Sequence, residues 1–182
     1  MPNLSIFQGL TGRQGSPTGG SVRDLIIGAF GTTKRGGPNT RAAAESLGVS
    51  QRSVQRWIAG EDRKQRNAPR SDHLSNLRVK ARQAVSTKKG RKASLDQSRQ
   101  RFAGRKSTKL TTHGLQGPEG GGKGYSRVRT VSIELSGGDV DAMFDAYERG
   151  GDSAVTDWLQ QHHSANYVPG WTFENIDHLR LD

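Results

Sequence analysis

Apolar residues between positions 21 and 60 recur at the intervals of short helices, and turn residues separate them. Ser21-Val22-Arg23-Asp24-Leu25-Ile26-Ile27-Gly28-Ala29-Phe30 is an apolar stretch with a capping serine in front, which predicts a first helix covering its neighbours with Leu25, Ile26 and Phe30. Gly36-Gly37-Pro38 marks a turn. Residues 40–60, TRAAAESLGVSQRSVQRWIAG, then give two helix-length stretches on either side of Gly48-Val49-Ser50. Ala44, Leu47, Val49, Val54 and Trp57 fall on the inward positions, and Ala44 is small where two helices cross closely. This is the pattern of a helix-turn-helix.

With those positions inward, Ser50 becomes the N-cap of the second helix, and Gln51, Arg52, Gln55 and Arg56 point outward near its N-terminal end. A recognition helix meets base edges at that end, and arginine and glutamine have the donor geometry for guanine and adenine. A helical hairpin with a merely solvated polar face is the bland alternative.

Further along, Ser71 to Val85 places Leu74, Leu77, Ala81 and Val85 at spacings of three and four, with Arg78, Lys80 and Arg82 on other faces. A basic amphipathic helix follows from that spacing. From Ser86 to Lys109 neither a helical nor a strand period persists, and the segment is expected to order only on DNA. Residues 110–125 hold a glycine cluster and read as a flexible loop, while residues 1–20, with only Leu4, Ile6, Phe7 and Leu10 as apolar anchors, read as a loose arm.

The final part, residues 126–182, reads as a small strand-helix-helix-strand domain. Arg127 to Leu135 alternates with period two, and Val131, Ile133 and Leu135 mark the buried face of a strand ended by Gly137-Gly138. Val140, Met143, Phe144 and Tyr147 define one helix face, and Val155, Trp158, Leu159 and His162 a second one after Gly150-Gly151. Trp171 to Leu181, with Phe173, Ile176, Leu179 and Leu181, is expected as a strand beside the first. The fold class is therefore α+β, in five stretches: an arm over 1–20, the helix-turn-helix region over 21–60, a basic region over 61–109, the loop over 110–125 and a docking domain over 126–182.

Charge sharpens this division. Residues 1–60 carry 7 basic and 2 acidic side chains, residues 61–109 carry 16 and 4, and residues 110–182 carry 5 and 11. The middle zone, with Arg63, Lys64, Arg66, Arg78, Lys80, Arg82, Lys88, Lys89, Arg91 and Lys92, is suited to neutralising phosphates beside a base-reading helix. Only 31% of the 182 residues are hydrophobic and 24 are glycine, so one large core is excluded and two small ordered regions are expected. There is no cysteine, hence no disulfide and no thiolate metal site, as fits a reducing cytoplasm. The N-terminus lacks the apolar run of a signal peptide and no stretch reaches membrane-spanning length, so a cytoplasmic, nucleoid-associated protein is expected.

Other chemistry reads weakly. Gly117 to Lys123 matches a phosphate-binding loop up to its lysine, but Gly124 stands where magnesium needs Ser or Thr, and nucleotide binding is not expected. His162, His163 and His178 lack a completing ligand set and are read as polar helix-end residues, with no metal site. Asp139, Asp141 and Asp145 suit the start of a helix. Without a recognisable triad or carboxylate pair, an independent enzyme is not expected.

From Leu47 to Arg82, and again in RVRTVSIEL, MFDAYERGG and FENIDHLRLD, the sequence resembles the terminal proteins of linear actinomycete (Streptomyces) chromosomes and plasmids, the Tpg-like telomere terminal proteins. The likeness covers residues 41–102 and 126–182. It implies a protein that binds telomeric DNA, as duplex or as single-stranded 3′ overhang, and supplies a side-chain hydroxyl as primer, remaining covalently attached to the 5′ end. A DNA polymerase and a telomere-associated replication protein are the implied partners, and Mg2+ and dNTP belong to the polymerase reaction, the chain having no cofactor of its own. The family's priming group is a threonine between the basic region and the first C-terminal strand. Anchoring on Arg101-Phe102 implies Thr112, or Thr111 beside it; anchoring on Arg127-Val128-Arg129 reaches Lys123, with Ser126 as the nearest hydroxyl. The competing reading is a helix-turn-helix transcriptional regulator of a plasmid or phage whose C-terminal part makes a symmetric homodimer.

Overall fold

The computed structural model describes residues 4–13, 20–61, 67–119 and 125–182, and it is mixed α+β. The chain forms two compact units, Thr11–Gln97 and Met1–Leu10 with Ser98–Asp182. It passes between them within helices α1 (Leu4–Thr11) and α6 (Lys88–Phe102).

The first unit is helical. α2 (Val22–Phe30) starts at a reciprocal capping box, in which the Ser21 hydroxyl accepts from Asp24 N–H and the Asp24 carboxylate accepts from Ser21 N–H. It stops at Gly31, whose φ of 71° a side chain would resist. α3 (Thr40–Leu47) is capped by the Asn39 side chain on Ala42 N–H, and Gly48 ends it in the left-handed conformation at φ 66°. α4 (Gln51–Glu61) follows after two residues, and the Ser50 hydroxyl accepts from Ser53 N–H at 3.1 Å. α5 (Ser71–Ser86) packs against α2. The core joins Val22, Leu25 and Ile26 of α2 to Ala43, Ala44, Val54, Leu77 and Ala81, with Phe30, Leu47, Val49 and Trp57 half-buried around it. Ala43 was not among the positions expected inside; the alanine run buries two consecutive residues where α3 lies closest to its neighbours.

Residues 86–109 are not structureless. Residues 88–102 form α6, and its buried positions are Ser94, Leu95, Ser98 and Phe102, a helical spacing filled half by serines. Each serine hides its hydroxyl by donating it to a backbone carbonyl, Ser94 to Gly90 and Ser98 to Leu10. Gly90 lets α6 approach α5, since a Cβ there would stand 2.1 Å from the Gln83 carbonyl oxygen.

The second unit is built on a four-stranded antiparallel sheet. β1 (Ser107–Pro118) pairs along one edge with β2 (Arg127–Ser136) and along the other with β3 (Trp171–Phe173) and β4 (His178–Leu181). α7 (Gly137–Asn166) packs against β1, β2 and β3, and it is two helices in one run, broken at Gly151 with φ 65° and ψ −144°. Three expectations are corrected here. The flexible loop expected over 110–125 is, as far as Pro118, the central strand, and residues 120–124 lie outside the described residues. The C-terminal strand lies beside β1 rather than beside β2, and it is split: Glu174–Asp177 bulge past Gly114, whose φ of 152° and 2.2 Å clearance to the Asn175 oxygen admit only glycine. The arm contains a helix whose Ile6, Phe7 and Leu10 are buried, Phe7 lying 6.0 Å from the Tyr147 ring.

β1 escaped notice because its inward row is Thr108, Leu110, Thr112, Gly114 and Gln116, nearly free of apolar side chains. The row satisfies itself: Thr112 donates its hydroxyl to Gln116 Oε1 at 3.1 Å, and Gln116 Nε2 donates to the Thr112 and Arg129 carbonyls at 3.2 and 3.0 Å.

Gly9 of α1 sits so close to β4 that a Cβ would meet the Leu179 carbonyl oxygen at 2.1 Å. Gly9→Ala is therefore expected to cost the full chain about 1–3 kcal/mol through overpacking, where an unattached arm would be indifferent. Urea unfolding of the two proteins, followed by far-ultraviolet circular dichroism, measures the difference.

Candidate nucleic-acid interface

On α4, Val54 is fully buried and fixes the rotation of the helix, so Gln51, Arg52, Gln55 and Arg56 are all exposed. Gln51 is steadied by donating Nε2 to Thr40 Oγ1 at 2.9 Å, which ties the N-terminal ends of α3 and α4 together. Arg52 and Arg56 make no ion pair among the described residues. Ser50 is exposed, but its hydroxyl serves the cap of α4.

The basic residues of the expected phosphate-binding zone divide by what they already hold. Arg78 and Arg82 of α5 and Lys88, Lys89 and Lys92 of α6 are exposed, and Lys80 is half-buried. Arg91 is engaged: its Nη1 donates to the Val85 and Ser86 carbonyls at 3.3 and 3.1 Å and so closes the C-terminus of α5. Arg63, Lys64 and Arg66 lie outside the described residues. Arg99 is committed within the sheet unit, bonded to Asp145 at 2.6 Å with Glu148 and Asp141 nearby, which raises its pKa. Two cations were missed. Lys34 and Arg35 are exposed on a turn closed by the Thr32–Pro38 bridge and by Thr33 N–H on the Gly37 carbonyl at 2.7 Å. The Lys-Arg-Gly-Gly sequence was the available signal.

The three hydroxyl candidates land in different environments. Thr112, the first choice, is fully buried and spends its proton on Gln116, so its place in the inward row withholds it from any partner protein. Thr111 is one residue on, hence on the opposite face; it is half-buried, with Oγ1 2.9 Å from Ser132 Oγ. Ser126 is half-buried just before β2. The different environments of Thr111 and Thr112 follow from strand alternation, which a loop does not have.

Among the described residues there is no group of three or more His, Asp or Glu side chains that could hold a metal. His163 is not a polar helix-end residue. It is fully buried, bonds the Leu159 carbonyl through Nδ1 at 2.8 Å and stacks on Trp171 at 6.0 Å, and burial pushes its pKa down to about 4. Asp139 fits the helix-start reading, accepting from Ser136 N–H and Oγ–H, which holds its carboxyl below the usual range.

No family model, no curated protein and no solved structure matches this chain. Among the described residues no helix is long and apolar enough to cross a membrane.

His163 gives the sheet unit a pH dependence of definite sign. The unfolded chain takes up the imidazole proton near the ordinary value of 6.5, whereas the folded one resists until about 4. This contribution is complete above pH 6.5 and is lost as pH falls from there to about 4, at most about 3 kcal/mol in all. His163→Phe, which keeps an aromatic ring in the stack, should flatten the fall in stability over that range; urea titrations at several pH values compare the two slopes.

Proposed function

We propose that this chain is a DNA-binding protein whose α3 and α4 act as a helix-turn-helix, and that it serves as a terminal protein at the ends of a linear replicon. The observation that carries the DNA half is the exposed set Gln51, Arg52, Gln55 and Arg56 on a helix whose opposite side is locked by Val54. In the proposed complex the N-terminal half of α4 enters the major groove, and Arg78, Arg82, Lys88, Lys89 and Lys92 meet phosphates. Lys34 and Arg35 add a further backbone contact. What supports the priming half is the resemblance in residues 41–102 and 126–182 to telomere terminal proteins.

In this reading the chain is the primer substrate of a DNA polymerase. Thr111 replaces Thr112 as the nucleophile, because its hydroxyl lies on the open face. Thr111 Oγ attacks the α-phosphorus of a dNTP, the new O–P bond forms as the bond to the β-phosphate oxygen breaks, pyrophosphate leaves and the hydroxyl proton passes to water. The polymerase's metal ions would supply the charge stabilisation for this displacement. A transcriptional regulator shares the DNA half and lacks the covalent step.

Arg52→Ala is expected to weaken binding to the preferred sequence by about 1–3 kcal/mol and to random DNA by less. Equal losses in gel-shift titrations on both DNAs would assign Arg52 to phosphate alone.

For the priming half, incubation with polymerase, radioactive dNTP and magnesium should label the parent and leave Thr111→Val unlabelled. Thr112→Val should still label, though about 1–3 kcal/mol less stable because Gln116 loses its partner. Ser126→Ala should label as the parent does. Mass spectrometry of nuclease-treated protein from its own cells should find a nucleotide on Thr111; an unmodified chain there, with all variants labelling alike, leaves the regulator.

A further inference from the structure

The open face of the sheet collects side chains to which the proposed function gives no task. Strand alternation puts Lys109, Thr111, His113 and Leu115 of β1 on the face away from the core. Register adds Thr130, Ser132 and Glu134 of β2 on one side and His178 and Arg180 of β4 on the other, all exposed. Thr111 therefore stands between Ser132 and Arg180, and His113 between Thr130 and His178. Directly opposed side chains in such a ladder are about 5 Å apart, within common reach of one phosphate group.

Hydrogen bonds organise the two rows. Thr111 Oγ1 and Ser132 Oγ are 2.9 Å apart, and His113 Nδ1 lies 2.9 Å from Thr130 Oγ1. Arg180 Nε is 2.7 Å from Asp182 Oδ1, and a guanidinium held through Nε still offers four N–H donors on its terminal nitrogens. The next row is different in charge: Lys109 is registered with Glu134 on β2 and bonded through its backbone to Asp182. Glu134 and Asp182 stand toward Lys109, Asp182 paired with Arg180, while His113 and His178 stand at the other end, where Asp177 bonds the His113 carbonyl through its backbone N–H. A polyanion whose first phosphorus sits at Thr111 meets the Arg180 guanidinium there and the N–H groups of two imidazoles in the neighbouring His113–His178 row.

We propose that Arg180, His113 and His178 form a phosphate-binding subsite beside Thr111 that holds the triphosphate of a nucleotide with its α-phosphorus toward the hydroxyl. The identity of the ligand rests on the priming reading. The three are positioning residues: Arg180 grips phosphate oxygens through its planar fork, the imidazoles donate to the β- and γ-phosphates, and the Ser132 and Thr130 hydroxyls fix the rows against which the nucleotide lies. No bond is made or broken by them, and pyrophosphate departs along the His113–His178 row.

The full chain, at low salt, is titrated with magnesium dTTP and separately with inorganic pyrophosphate, and the histidine ring C–H signals are followed by NMR. His113 and His178 should shift with saturation while His73 stays still, and Arg180→Gln should weaken binding at least about fivefold, with Arg180→Lys between it and the parent. Still signals at His113 and His178, or equal binding by Arg180→Gln, overturn the subsite; His113→Gln is the companion if Arg180→Gln loses its native circular dichroism. In the labelling reaction Arg180→Gln should raise the KM for dNTP at least about fivefold. Labelling at Thr111 with an unchanged KM refutes the subsite and leaves priming standing. Nucleotide binding at His113 and His178 without any nucleotide joined to Thr111 refutes priming and leaves the subsite.

Discussion

Every backbone ladder in the sheet unit runs through β1. β2 pairs with it on one side, β3 and β4 on the other, and among the described residues no other strand pairing holds the four together. The central strand therefore has both edges occupied, and its inward row faces the core. A polar row in that position is tolerated only if its donors and acceptors are closed, and Thr112 and Gln116 close them on each other and on the Arg129 carbonyl. The same alternation that commits Thr112 to the interior delivers Thr111 to the outside, so the polar lock in the core and the open hydroxyl are two consequences of one register.

The helical unit solves a different problem, that of presenting a polar helix face at a defined rotation. Val54, with Trp57 and Ile58 beside it, packs on the cluster formed by α2, α3 and α5, and the short connection through Gly48 and Ser50 sets where α4 begins. Arg52 and Arg56 are exposed as a result of what lies on the other side of the helix. Arg91 shows the converse: a basic residue in the densest part of the positive zone is turned inward to cap α5 and is withdrawn from the exposed cations. Charge counted along the chain overstates what a partner can meet.

α7 links the acidic composition of the C-terminal region to its packing. Its first turn is fixed by Ser136 and Asp139, its exposed carboxylates Asp141, Asp145 and Glu148 converge on Arg99, and its buried side covers the sheet. Part of the negative charge is thus spent within the unit. His163 completes the inner side as a neutral ring among Trp171, Phe173 and Tyr167, a role set by its neighbours and invisible in the pair His162-His163.

The helices from Ser21 to Glu61, the amphipathic α5 and the strand from Arg127 were legible in the sequence because their apolar residues keep a helical or strand period and their ends carry Ser, Asn or Gly, signals that act over one or two turns. The outward set on α4 was legible for the same reason. Three things were not: α6, where serines take core positions by bonding to carbonyls; β1, where threonine, glycine and glutamine replace the apolar alternation; and α1, where three apolar residues are enough once α6, α7 and β4 lie beside the helix. Each depends on partners distant in sequence, since a polar side chain can be buried only after the acceptor it needs has been brought to it. The environments of Thr111 and Thr112 are of this kind: neighbouring hydroxyls are alike in a chain and are separated only when a sheet gives one of them an inside.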